Sequence, residues 1–348
     1  MPRLIGGKPR LGCHGRFGVR ARRCRSGDSI DGRIGAAGGA PPSCEALRDE
    51  AAIPRVRGAA VLVVAVFLLS ALASARASTD DALAIRGGYL AHAAGCISCH
   101  TDKKAKGAAF AGGRALKTPF GVYYSPNITP DPKTGIGVWT DDDFLNALKR
   151  GMNPEGEHYF PVFPYTTYTK LRDDDVLAIK AYLFSLKPVS RKNRAHDVWP
   201  PFGWRWTIGP WKGLYFHEGE FKPVSTRDAA WNRGAYLVEA LAHCGECHTP
   251  RNLAGALDRS AWMAGAVDGP QGEAAPNITP DFETGIGDWS VDQIAFFLKV
   301  GTKPDYEAAT GLMAEAIKGG LNHLTGDDLK AIAQYIKSLP PIRNYVAE

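Results

Sequence analysis

Cys96-Ile97-Ser98-Cys99-His100 and Cys244-Gly245-Glu246-Cys247-His248 stand 148 residues apart in this 348-residue chain, and their reading decides what fold the rest can take. Two cysteines separated by two residues and followed at once by histidine form the pattern that attaches haem c. Both thiols add to the vinyl groups of one porphyrin, and the adjoining histidine reaches the iron. A thioredoxin-like Cys-x-x-Cys or half of a zinc site needs no histidine at the next position, and neither accounts for two intact copies. The sequence therefore predicts two covalently bound haem c groups, each with its iron. Cys96, Cys99, Cys244 and Cys247 would hold them, with His100 and His248 as iron ligands.

The rest of the chain agrees on compartment. Gly58 to Ala73 reads GAAVLVVAVFLLSALA, with Arg55 and Arg57 before it and Ala75-Arg76-Ala77 after it. This is the layout of a secretory signal cleaved before Ser78, which places the product in the periplasm. The run is short for a membrane span, so anchoring by residues 58–75 is the lesser alternative. Residues 1–54 are rich in Gly, Arg and Pro without hydrophobic periodicity and hold the other cysteines, Cys13, Cys24 and Cys44. They read as a disordered extension, with initiation near Val56 or an extended leader as the explanation. Residues 1–77 carry 13 Lys and Arg against 5 Asp and Glu, a surplus of 8 within a whole-chain net charge of +6, so the remaining 271 residues carry about −2. The basicity belongs to the leader, and no basic stripe points to nucleic acid.

Beyond the leader the chain is duplicated. Arg86-Gly87-Gly88-Tyr89-Leu90 returns as Arg233-Gly234-Ala235-Tyr236-Leu237, and Pro126-Asn127-Ile128-Thr129-Pro130-Asp131 as Pro276-Asn277-Ile278-Thr279-Pro280-Asp281. Thr-Gly-Ile-Gly-x-Trp blocks end at Trp139 and Trp289, and 171–188 parallels 324–341. The divisions follow: leader 1–77, a first domain over 82–190, a Trp-rich connector over 191–230, and a second domain over 231–342. Val176, Ile179, Leu183 and Leu186 recur at helical spacing, as do Leu329, Ile332, Ile336 and Leu339. Thr140 with Asp143, Ser290 with Gln293 and Thr325 with Asp328 read as capping boxes. Strand-like alternation is weak, so an all-α fold is expected, with segments such as Thr118-Pro119-Phe120-Gly121 wrapping the haem as loops. The connector, with Trp199, Phe202, Trp204, Trp206, Trp211, Tyr215 and Phe216, is too apolar for a tether; it packs across both domains or offers a docking patch.

These runs, with His243-Cys244-Gly245-Glu246-Cys247-His248-Thr249-Pro250-Arg251-Asn252 and the repeated Asn-Ile-Thr-Pro-Asp, resemble the cytochrome c subunits of bacterial membrane-bound alcohol and gluconate dehydrogenases over residues 83–342. The resemblance implies two tandem class I cytochrome c-like helical domains, each wrapped around its haem. It also implies electron relay from a periplasmic or membrane-associated dehydrogenase to a terminal oxidase or another cytochrome, with peripheral membrane association compatible with that role. Those subunits usually carry a third Cys-x-x-Cys-His lobe and a C-terminal membrane segment, and neither pattern occurs here.

The sixth ligands separate the two halves. Without gaps from Pro126/Pro276, Gly151 falls opposite Gly301, Pro154 opposite Pro304, and Phe163 opposite Met313. Met313 also falls where the resembling family has its axial methionine, and is assigned to the second iron. Phe163 cannot ligate, which leaves His158, Met152 or an open position for the first. His92 and His243 read as structural. Trp139 and Trp289 are candidates to donate an indole N–H to a haem propionate, or they simply pack. Asn127-Ile128-Thr129 and Asn277-Ile278-Thr279 read as loop structure, not glycosylation sites. Asp141 to Asp143 and Asp173 to Asp175 read as helix-start carboxylates. The function expected is a dihaem electron-transfer subunit with no substrate site of its own; the alternative is a haem enzyme or small-ligand binder working at an open first iron.

Overall fold

The computed structural model describes residues 80–346. The readings made of residues 1–77, the apolar run and the cleavage before Ser78 lie outside the described residues. In chain order the helices of the first half are 80–93 (α1), Cys96–Cys99 (α2), Asp141–Leu145 (α3), Tyr165–Tyr168 (α4) and Asp173–Ser185 (α5). Ile208–Tyr215 (α6) lies in the connector. Ala229–Tyr236 (α7), Gly245–His248 (α8), Val291–Val300 (α9), Gly311–Gly319 (α10) and Gly326–Lys337 (α11) form the second half. Wider π-type turns extend α3 over Asn146–Arg150 and α7 over Leu237–Leu241.

Local chemistry sets the helix starts. Thr140 and Asp143 close a full capping box, as do Ser290 and Gln293. Thr325 accepts from the Asp328 amide, but the Asp328 carboxylate does not return to the cap: Arg233 and Tyr89 take it. That expected box is half formed, because two tertiary donors outcompete one local amide. The repeated Arg-Gly pair has a packing cause. A Cβ on Gly87 would lie 1.7 Å from the Ala178 carbonyl oxygen, and one on Gly234 1.9 Å from that of Ala331. Glycine thus lets α1 cross α5, and α7 cross α11, at backbone contact.

The fold is mostly helical, with one departure from expectation. Ala115–Thr118 (β1), Gly121–Tyr124 (β2) and Asp197–Val198 (β3) make a small antiparallel sheet in the order β1-β2-β3. Thr118-Pro119-Phe120-Gly121, read as a wrapping loop, is the turn of its hairpin, with Thr118 paired to Gly121. The strands are too short for alternation to register in sequence.

One continuous apolar cluster runs through both halves, from Leu90, Phe144, Leu171 and Ile179 to Leu237, Leu298, Ile332 and Ile336. The connector joins it to a satellite. Ile208 is buried with Tyr123 and Phe160 of the first half, and the Trp211 indole donates to Ala254 O at 2.8 Å in the second. Trp199, Trp204 and Trp206 stay 61 %, 48 % and 69 % exposed. Among the described residues no helix is long and apolar enough to cross a membrane.

Candidate haem sites

In both motifs a single helical turn presents the two cysteines, because residues three apart share a helix face. The histidine that follows is fixed from outside the turn. His100 Nδ1 lies 2.8 Å from Pro126 O, and His248 Nδ1 lies 2.8 Å from Pro276 O. A carbonyl can only accept, so Nδ1 carries the proton and the Nε2 lone pair is left for iron. Burial lowers both imidazoles, against the opposing effect of those carbonyls, which keeps the ring neutral as a ligand must be.

The Pro-Asn-Ile-Thr-Pro-Asp repeat is what delivers the carbonyl. Asn127 and Asn277, each 2 % exposed, accept from the amide and hydroxyl of the threonine two residues on. Their amide groups donate to Val189 O and Ile342 O, both at 2.7 Å, tying the loop to the chain that leaves α5 and α11. Buried and saturated, these asparagines are loop organisers. Gly112 and Gly265 complete the frame: each amide donates to the motif histidine's carbonyl at 2.8 Å, with φ of 72° and 87°. A Cβ at Gly112 would sit 2.4 Å from the Pro126 carbonyl.

The thiols lack the lowered titration of a redox Cys-x-x-Cys. Burial pushes Cys96, Cys244 and Cys247 up to about 12, whereas a nucleophilic cysteine is lowered. Among the described residues no group of three or more His, Cys, Asp or Glu is placed to hold a metal ion. Two cysteines on one turn followed by an oriented, neutral imidazole, twice over, fit covalent haem c.

The halves keep a common frame on the distal side. Tyr159 N donates to Gly151 O at 2.8 Å and Ala309 N to Gly301 O at 2.7 Å, with Met152 bridged to His158 as Thr302 is to Ala308. The register holds in structure as far as Tyr159 and Ala309, and the sequence alignment extends it to Phe163 and Met313. Both are partly buried against the main core. Met313 stands in α10; Phe163 lies in a turn before α4, edge-on to Tyr159 and Tyr168. His158 is turned elsewhere. Its Nδ1 is 3.0 Å from Lys212 Nζ, and its Nε2 lies 3.5 Å from where a Cβ on Gly209 would stand, so both nitrogens face α6 of the connector. Met152 lies directly across the bridge from it. Met263 is fully buried and takes the place of Phe110: their amides donate to the hydroxyls of Thr249 and Thr101, and their carbonyls accept from the amides of Ile278 and Ile128.

Trp139 and Trp289 are half-buried against the core, and neither indole N–H has a protein acceptor among the described residues. His92 and His243 pin the halves together, through Gly319 O at 3.1 Å and Ala94 O at 3.2 Å. The sequence did not reveal that each attachment turn packs on the distal segment of the other half. Ser98 of α2 meets Gly319 of α10, and Glu246 of α8 bonds Thr167 beside α4's Tyr165. Burial would lift the Glu246 carboxyl, but Arg251 at 2.5 Å and Thr167 outweigh it and hold it low. The two turns are neighbours: the His243 ring, just before Cys244, lies against Ala94 O and Gly95, just before Cys96.

Residues 84–187 match the cytochrome c family model. A dihaem c-type cytochrome of Cereibacter sphaeroides is 43 % identical over 268 residues, covering 74 % of this chain and 86 % of that protein. The chain belongs to the cytochrome c family. Covalently bound haem c follows from that membership and from the Cys-x-x-Cys-His geometry. The cytochrome c subunit of gluconate 2-dehydrogenase from Pantoea cypripedii is 39 % identical over 80 % of this chain, and that of the quinone alcohol dehydrogenase from Gluconobacter oxydans 39 % over 76 %. The chain spans 64 % and 56 % of the length of those two relatives.

Proposed function

We propose that this cytochrome holds two haems, in tandem class I domains over 82–190 and 231–342, and relays single electrons in the periplasm from a dehydrogenase to a downstream oxidase or cytochrome. The single observation that carries the reading is the doubled proximal frame, with His100 and His248 each 2.8 Å from the carbonyl of the corresponding proline. Haem supplies the one-electron redox change. The chain supplies the rest. Its cysteines would fix the porphyrin edge, and the Pro126 and Pro276 carbonyls hold each imidazole in one tautomer and raise its basicity. The dehydrogenase subunits among the relatives support the donor's class. The layout of residues 55–77 supports export, with Ser78 as the mature N-terminus.

The test is direct. Protein matured in a host that attaches haem c should carry two haems per chain by mass, and the Cys96→Ala, Cys99→Ala double variant one. A wild-type mass with one haem or none defeats the proposal.

One observation favours a second reading for the first haem. Phe163 stands where the sequence alignment places the counterpart of Met313, and His158 faces the connector. An open first iron would make the chain a ligand binder or haem enzyme as well as a relay. Uptake of one CO per reduced chain supports that reading; no uptake removes it.

A further inference from the structure

One arginine joins the first attachment turn to the helix that carries Met313. Arg114 Nη1 donates to Ser98 O, inside the first Cys-x-x-Cys-His, at 2.6 Å. The same guanidinium makes a bidentate pair with Glu315, Nη1 to Oε1 at 2.6 Å and Nη2 to Oε2 at 2.7 Å. The two side chains are 17 % and 22 % exposed, and Lys103 adds a third bond to Glu315 at 2.9 Å. Glu315 follows Met313 by two residues on α10.

That helix has little to hold it by itself. α10 has nine residues, glycine at both ends, and no side-chain hydrogen bond at its Thr310 cap. A helix this short is marginal alone, so its rotation and position come from tertiary anchors. Glu273 caps the Leu312 amide at 2.8 Å, and Gly319 rests on Ser98, where a Cβ would come within 2.3 Å of the hydroxyl. The Arg114–Glu315 pair is the charge-assisted, bidentate anchor between these ends, the type of contact that fixes geometry as well as adding energy. It has no equivalent in the other half. The counterpart of Arg114 there is an exposed valine, Val267, which cannot pair with a carboxylate.

We propose that Arg114 is a positioning residue for the Met313 sulfur: by gripping Glu315 and the Ser98 carbonyl together, it sets the distal ligand of the second haem from the attachment turn of the first. This rests on Met313 being the second iron's sixth ligand, as assigned above. Loosening the pair lets α10 shift, and the methionine leaves iron more readily.

The experiment uses full-length holoprotein well below its unfolding temperature, with cyanide as the probe, since cyanide binds ferric haem only after the methionine departs. Arg114→Gln should speed cyanide binding at the second haem about tenfold, the loss of roughly one charge-assisted bond, and weaken the red-edge sulfur-to-iron absorption band. Glu315→Gln should act in the same direction, Arg114→Lys should fall between, and the double variant should be no worse than either single. If Met313→Ala abolishes the band while Arg114→Gln and Glu315→Gln keep wild-type band and cyanide rate, the coupling is refuted and the ligand assignment stands. If Met313→Ala leaves both unchanged, the ligand assignment has failed and the inference falls with it.

Discussion

The hydroxyl of Tyr89 donates to the carboxylate of Asp328, 239 residues away, at 2.6 Å. Tyr236, its counterpart in the duplication, donates to Asp175 at 2.5 Å. Each tyrosine also accepts from the backbone at the start of the other half's last helix, Thr325 N at 3.2 Å and Arg172 N at 3.3 Å. The halves therefore exchange the same contact in both directions. Asp175, 1 % exposed, is further paired with Arg86 and Arg172, and Asp328 with Arg233. Tyr89→Phe and Tyr236→Phe should each lower the unfolding free energy by about 1.5–3 kcal/mol, the worth of a hydrogen bond to a charged group. Denaturant titration of the holoprotein checks this; a loss under about 0.5 kcal/mol for both would show that the exchange is not a stabilising contact.

The same junction sets an acid limit. Burial lifts the Asp328 carboxyl, but the bonds from Arg233 and Tyr89 outweigh it, so it titrates below the ordinary aspartate range. A carboxyl depressed in the folded state binds protons more weakly there than in the unfolded chain. Its contribution is therefore present above the unfolded value and is lost as pH falls through the folded one. Asp328→Asn should lower stability at pH 7 and flatten the stability-versus-pH curve below about pH 4. An unchanged acid limb would rule the junction out as its source.

Gly265 tests the proximal frame. Its φ of 87° and a clearance of 2.8 Å to Ala275 O leave no room for a methyl. Gly265→Ala should cost about 1–2 kcal/mol for the left-handed backbone alone and push the Pro276 carbonyl from His248. The second haem should then show a lower imidazole basicity, read as a raised midpoint potential in a spectroelectrochemical titration. A variant with wild-type potential and stability would contradict the frame.

Met313→Ala should lower the potential of the second haem and open it to CO, because a thioether favours the reduced iron relative to stronger donors. His158→Ala, by contrast, should leave the spectrum of the first haem unchanged, since both its ring nitrogens face the connector. A change of spin state in His158→Ala would mean that the loop rearranges when haem is attached.

Sequence spacing alone marked the candidate attachment cysteines and proximal histidines, suggested the alignment of Phe163 with Met313, and determined two complete capping boxes. Each is a property of residues within a few positions of one another or of a repeat copied whole. The hairpin around Pro119-Phe120, the half-formed cap at Thr325, and the direction of His158 were decided only by the tertiary structure. A strand of four residues leaves no period to read, Asp328 chose between a local amide and donors from α1 and α7, and Lys212 arrives from the connector. The crossing of each attachment turn onto the other half's distal segment, and with it Arg114 between Ser98 and Glu315, lies in the same class. Spacing fixes which face a residue occupies; which distant group meets that face depends on how two copies of one fold bury their common core.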